Sequence, residues 1–101
     1  MGVSETSRRA YDEIRRTLGR RQLEVLDVIE RHPAGITNNE IAHDLHWPIN
    51  CVTPRVFELR SEGLVAMIGQ RPDQWTKKKS CVWGRVKGIQ LEFEAFQTQG
   101  R

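Results

Sequence analysis

The chain has 101 residues, 38% of them hydrophobic, with 16 lysines and arginines against 13 aspartates and glutamates. That length holds one small domain and one core, with little room for an internal substrate cavity, so catalysis is disfavoured from the outset. No apolar run approaches the roughly 20 residues of a membrane helix, the first residues lack the order of a secretory signal, and two cysteines, Cys51 and Cys81, are too few for a disulfide scaffold; a cytoplasmic, reduced protein is expected.

In chain order, the spacing of Ala10, Tyr11, Ile14 and Leu18 predicts a first helix over about Thr6 to Leu18, capped by Ser4 or Thr6, with a narrow apolar stripe and an arginine-rich remainder. A second helix over about Arg20 to Arg31 places Leu23, Leu26, Val28 and Ile29 inward and Val25 at the margin, and stops at Pro33 and Gly35. Ile36 and Thr37 are too short for an independent strand but fit the edge of a small sheet. Thr37-Asn38-Asn39-Glu40 matches a capping box, so a short helix with Ile41, Ala42 and Leu45 inward follows.

His46-Trp47-Pro48 is a tight connection, after which Val52, Val56 and Leu59 mark another helix ending near Gly63. Pro54 lacks the N–H of a helix interior, so that helix is expected to become regular only between Asn50 and Thr53, after an irregular or 3₁₀ turn, with Thr53 a possible cap. Leu64 to Ile68 and Cys81 to Val86 read as paired strands joined by a long polar, basic loop from Gly69 to Ser80. The tail from Ile89 to Phe96 fits an alternating strand or a short helix equally.

This order makes the fold class mainly α with a small β-hairpin: an α+β winged helix-turn-helix over residues 19–88, with an extra N-terminal helix over 1–18 and a C-terminal extension over 89–101. The second helix of the pair is the element such a domain offers to the major groove, and the hairpin reaches phosphates beside it. Charge is distributed accordingly. Residues 64–88 carry six basic side chains against one acidic, whereas 33–63 carry two against four. A basic wing on a balanced domain points to a polyanion.

Leu18 to Trp83 also resembles small winged-helix proteins encoded by bacteriophages and prophages. The resemblance rests on the Gly19-Arg20-Arg21-Gln22 opening, Thr37-Asn38-x-Glu40-Ile41-Ala42, Glu62-Gly63-Leu64-Val65 and above all Trp47-Pro48-Ile49-Asn50-x-Val52-Thr53-Pro54-Arg55-Val56-x-Glu58-Leu59, with a leader-like Ser4-x-x-Ser7-x-x-Ala10-Tyr11 ahead of them. It implies a DNA-binding or transcriptional regulator. A Thr-Gly-Arg wing turn is absent here, replaced by Trp75-Thr76-Lys77-Lys78-Lys79, so the resemblance implies no wing contacts.

Candidate base contacts are Asn50, Thr53 and Arg55: neutral groups near a helix N-terminus, which could equally be caps, and an arginine able to grip guanine or to pair with Glu58. Candidate backbone contacts are Asn38, Arg71, Lys77, Lys78 and Lys79, and four phosphates neutralised by the wing imply a log–log salt slope near about −3.6. Trp75 fits packing under the wing better than stacking on a base; Trp47 and Trp83 fit the core. His43, His46 and Cys51 fall short of a structural zinc set, and no nucleophile–base pair or phosphate loop is present, so no metal, small-molecule cofactor or enzymatic activity is expected. The expected partners are double-stranded DNA and a second copy, through the first helix and the Leu91, Phe93, Phe96 tail; no membrane is expected. The alternative is a winged-helix module that binds another phage or host protein.

Overall fold

The computed structural model describes residues 2–86, with side chains from residue 9. Its elements are α1 (Gly2–Arg16), α2 (Arg20–Glu30), α3 (Asn38–Leu45), α4 (Ile49–Ser61), β1 (Val65–Pro72) and β2 (Lys79–Arg85). The predicted α+β layout is the observed one. Among the described residues no helix is long and apolar enough to cross a membrane. The C-terminal extension, with Leu91, Phe93 and Phe96, lies outside the described residues.

The core sits where α2, α3 and α4 meet the base of the hairpin, and it contains Leu26, Ile29, Ile41, Val56, Leu59 and Trp83. The inward face of α2 is rotated from the predicted one: Val25 is fully buried, whereas Leu23 is only partly so and lines a surface cleft with Arg15 and Asp27. Period alone allowed either, because the two flank the same stripe. Gly19 has no side chain with which to cap α2, and Gln22 Oε1 instead accepts the Gly19 N–H at 2.8 Å. The first helix begins at Gly2, ahead of the expected Ser4 or Thr6 cap. It is anchored through Tyr11, whose hydroxyl donates to Glu30 at 2.7 Å, and Arg15, which grips the same carboxylate at 2.8 and 3.0 Å.

Two helix ends use the same backbone device. After α4, Gly63 is left-handed (φ 81°), its N–H bonds Arg60 and the Leu64 N–H returns to Leu59 at 3.0 Å, which buries Leu64 against the core. After α3, His46 takes the left-handed position (φ 60°) and the Trp47 N–H returns to Ala42 at 3.0 Å.

The strands are longer and the loop shorter than predicted. Pairing runs from Val65 opposite Arg85 to Pro72 opposite Lys79, leaving only residues 73–78 as loop, with a bulge at Ile68. Residues read as polar loop pair here because the exposed hairpin arm needs no apolar alternation. Ile36 forms the expected third edge, exchanging backbone hydrogen bonds with Trp83 at 2.8 and 3.1 Å.

Gly35 and Gly63 both hold positive φ, but their surroundings differ. A Cβ on Gly35 (φ 103°) would stand 2.2 Å from Val82 Cγ1, whereas one on Gly63 would meet nothing within 4 Å. Gly35→Ala should therefore destabilise by about 2–4 kcal/mol, combining backbone strain with overpacking, and Gly63→Ala by only about 1 kcal/mol. Urea unfolding of both variants measures the gap; equal losses would mean that the packing around Gly35 is not what constrains it.

Candidate nucleic-acid interface

The helix-turn-helix is built from α3, the His46-Trp47-Pro48 turn and α4. Contrary to the expectation of a delayed start, α4 is regular from Ile49, with Pro48 before it, and Pro54 lies inside it. The helix tolerates this because Val52, Val56 and Leu59 are seated in the core. The Thr53 hydroxyl also donates to the Ile49 carbonyl at 3.2 Å. A 3₁₀ bond from Cys51 N–H to Pro48 survives from the predicted first turn, at 3.0 Å. Neither Asn50 nor Thr53 caps the helix.

At 100° per residue the side opposite Val52, Val56 and Leu59 carries Asn50, Pro54, Phe57 and Ser61, all exposed. Thr53 lies toward β2, exposed. Arg55 lies on the other flank and is already occupied: its Nε and Nη2 donate to Glu58 at 2.9 and 2.7 Å, and Gln22 of α2 donates to Glu58 at 2.8 Å. The hydrogen bonds from Arg55 and then Gln22 hold the Glu58 carboxyl below its usual range. Arg55 thus orients, within α4, the carboxylate that Gln22 ties to α2.

The wing is held to α3 by two carboxylates. Glu40, nearly buried, accepts from both Arg71 Nη atoms at 2.7 and 2.8 Å and from the Gln74 N–H at 2.9 Å, while closing the capping box on the Thr37 N–H at 3.2 Å. Asp73 is buried, accepts the Thr37 hydroxyl through one oxygen and takes the N–H groups of Trp75 and Thr76 at 2.8 Å through the other. Across the six-residue loop, the Asp73 N–H bonds Lys78 at 2.8 Å and the Lys77 N–H bonds Asp73 at 2.9 Å, with Lys77 left-handed (φ 65°). Lys77, Lys78 and Lys79 project from this turn, exposed. Trp75 packs face to face on His43 of α3 at 3.8 Å, outside the core and half exposed.

Among the predicted residues, Asn38 and Thr53 come together in one open cleft of about 320 Å³, with Asn39, Ile49, Ser80 and Trp83, between the two helix N-termini and β2. Asn38 Oδ1 and Trp83 Nε1 are buried there without hydrogen-bond partners. Asn50 stands on the outer ridge and the three lysines at the wing tip, whereas Arg55 and Arg71 are each taken up in a bidentate ion pair. Arg71 had been expected on phosphate; Glu40, thirty-one residues away, neutralises it locally. Sequence reasoning missed Phe57, which the i, i+4, i+7, i+11 ridge from Asn50 to Ser61 would have placed outward. It also missed two cations held against tryptophan faces, Arg21 over Trp47 at 5.6 Å and Arg60 over Trp83 at 5.7 Å.

Among solved structures, the chain is similar to a crystal structure of S. aureus MepR in complex with DNA, at TM-score 0.56 and 19% identity over 93% of this chain and 73% of that one. It is likewise similar to a mutant of S. aureus MepR, at TM-score 0.53 and 21% identity over 98% of this chain and 77% of that one. The shared fold is a winged helix. No protein-family model matches the chain, and no curated protein matches it in sequence.

Hydrogen bonds from Arg71, then from Gln74 and Thr37 against the opposing effect of burial, hold Glu40 below its usual range. Burial alone would raise Asp73, but the Thr37 hydroxyl and the Thr76 and Trp75 N–H groups outweigh it and the net shift is downward. Both carboxyls being depressed in the fold, their stabilisation is complete above the unfolded values near about 4 and is lost as pH falls through the folded ones. Thermal midpoints should hold steady down to about pH 4 and then drop. The drop should be smaller in a Glu40→Gln, Asp73→Asn double variant, and an unchanged acid profile in that variant would remove these two carboxylates from the account.

Proposed function

We propose that the chain is a sequence-preferring, double-stranded DNA-binding protein, a small transcriptional regulator that places α4 in the major groove and Lys77, Lys78 and Lys79 on backbone phosphate. The observation that carries this reading is that Glu40 and Asp73 fasten a lysine-tipped wing to the start of α3, the helix that packs with α4 in the helix-turn-helix. A phosphate-contacting group is useful only if it is fixed relative to the base-reading helix, because backbone contacts set the register in which base edges are read. Similarity in fold to a protein solved with DNA supports the same reading. The match from Pro48 to Leu59 supports a phage or prophage regulator, acting in the cytoplasm as a binding protein rather than an enzyme.

Asn38, at the first position of α3, suits a backbone contact at a helix N-terminus. Asn50 and Thr53 face the groove. Arg55, paired with Glu58, must exchange that partner to meet a base, and Arg71→Ala loosens the wing. Only the three lysines of the wing tip then count toward phosphate. Neutralising three phosphates contributes about −2.7 to the log–log slope of affinity against salt. Replacing Lys77, Lys78 and Lys79 together by alanine should weaken binding to all duplexes alike and flatten the slope by about that amount. Absence of duplex affinity in the wild type even at low salt would overturn the reading.

A second copy completes the reading. One α4 covers about one half-site, and two-fold regulators gain affinity by reading two. The first helix supports this role: among the described residues Tyr11, Ile14, Arg15 and Leu18 hold it to the body, while Arg9, Ala10, Asp12, Glu13 and Arg16 are exposed. Sedimentation should show a concentration-dependent dimer, and a monomer persisting at high micromolar concentration would exclude it.

A further inference from the structure

Among the described residues Phe57 is the most exposed of the large apolar side chains, at 66%, and it stands on the outward ridge of α4 away from the core cluster. Its neighbours on that ridge, Asn50, Pro54 and Ser61, leave it open. On the flanks, Arg55 and Glu58 are engaged with each other, the Thr53 hydroxyl with the Ile49 carbonyl, and Arg60 lies over the Trp83 ring. The ridge thus offers one free amide, a proline ring, a phenyl ring and one hydroxyl.

In the major groove the only apolar feature on any base edge is the C5-methyl of thymine, and the natural bidentate partner of an Asn amide is adenine. Cations stand on α4 and on the elements beside it: Arg21 of α2 over Trp47, Arg60 in the last turn of α4 over Trp83, and the three lysines exposed at the wing tip. An apolar ring on a domain with those cations complements a groove lined by phosphate, where an apolar protein pocket would leave them unanswered. Resting on the DNA-binding reading above, we infer that Phe57, backed by Pro54, is a specificity-determining residue that reads thymine methyl groups. The preferred half-site is therefore A·T-bearing, with Asn50 on adenine. Seven residues separate Asn50 and Phe57, roughly 10 Å along the helix, so both reach one half-site.

The test selects duplexes from a random pool with the full chain, then replaces each thymine of the selected sequence singly by deoxyuracil, which removes only the methyl. Affinities are compared for wild type, Phe57→Ala and Phe57→Leu, with circular dichroism and thermal unfolding to check that the variants fold; an exposed side chain leaves the core intact. At one or two thymines, uracil should weaken the wild type about fourfold, the effect of burying one methyl. Phe57→Ala should bind the thymine and uracil duplexes equally, and Phe57→Leu should keep part of the discrimination. The salt slope should be the same in all three. Selected sites lacking thymine, or a thymine-to-uracil ratio unchanged by Phe57→Ala, would overturn this inference while leaving DNA binding intact. Selection of no duplex at all, with Phe57 serving a protein partner, would overturn both.

Discussion

The Thr37 hydroxyl is the point on which the arrangement turns. It accepts the Glu40 N–H at 3.2 Å, starting α3, and donates to Asp73, fixing the wing. One side chain therefore caps a helix and ties it to a hairpin thirty-six residues away. Buried carboxylates are costly unless their lone pairs are met. Here Glu40 is met by Arg71 and two backbone N–H groups, and Asp73 by the Thr37 hydroxyl and two backbone N–H groups. A two-stranded hairpin alone is marginal in water. These hydrogen bonds, with the Ile36 to Trp83 edge, give it a fixed place.

The same pairs redistribute charge. On sequence the wing segment is strongly basic and the helix-turn-helix segment acidic. In three dimensions Glu40 of the acidic segment neutralises Arg71 of the basic one, and Arg55 and Glu58 cancel within α4. Within the wing loop the exposed positive charge that remains is that of Lys77, Lys78 and Lys79, while Arg21 and Arg60 are held against tryptophans. On the reading proposed above, steering by charge and reading of bases fall to different elements, the wing attracting and the weakly charged α4 discriminating.

Local features were legible in the sequence. The Thr37 to Glu40 capping box, the glycine stop at Gly63, the inward series Val52, Val56 and Leu59 and the pairing of Ile36 all follow from residue types at short spacing. What was not legible depends on partners distant in sequence. Arg71 looked like a free wing cation because nothing nearby announces Glu40. The length of the loop was overread because a solvent-exposed hairpin arm pairs through its backbone without apolar alternation. Val25 and Leu23 exchanged roles because both border the apolar stripe of α2, and only the position of α4 decides between them. The ridge bearing Phe57 follows from the helical spacing of Asn50, Pro54, Phe57 and Ser61 once Val52, Val56 and Leu59 are placed inward.

Pro54 was expected to delay α4, and its toleration has a functional side. A proline within a free helix costs about 3 kcal/mol, chiefly from the missing hydrogen bond and the ring's contact with the preceding turn. Tertiary packing through Val52, Val56 and Leu59, and the Gln22 tie to Glu58, hold the helix through that point, so the ring is carried on the exposed side in line with Asn50 and Phe57. Proline has no rotamer freedom to lose when a partner arrives. It also deprives the Asn50 carbonyl of its i+4 donor, leaving a backbone acceptor beside the Asn50 amide. Amide, carbonyl, pyrrolidine and phenyl thus stand in fixed order on a braced helix, so the shape of that ridge is set before any partner arrives.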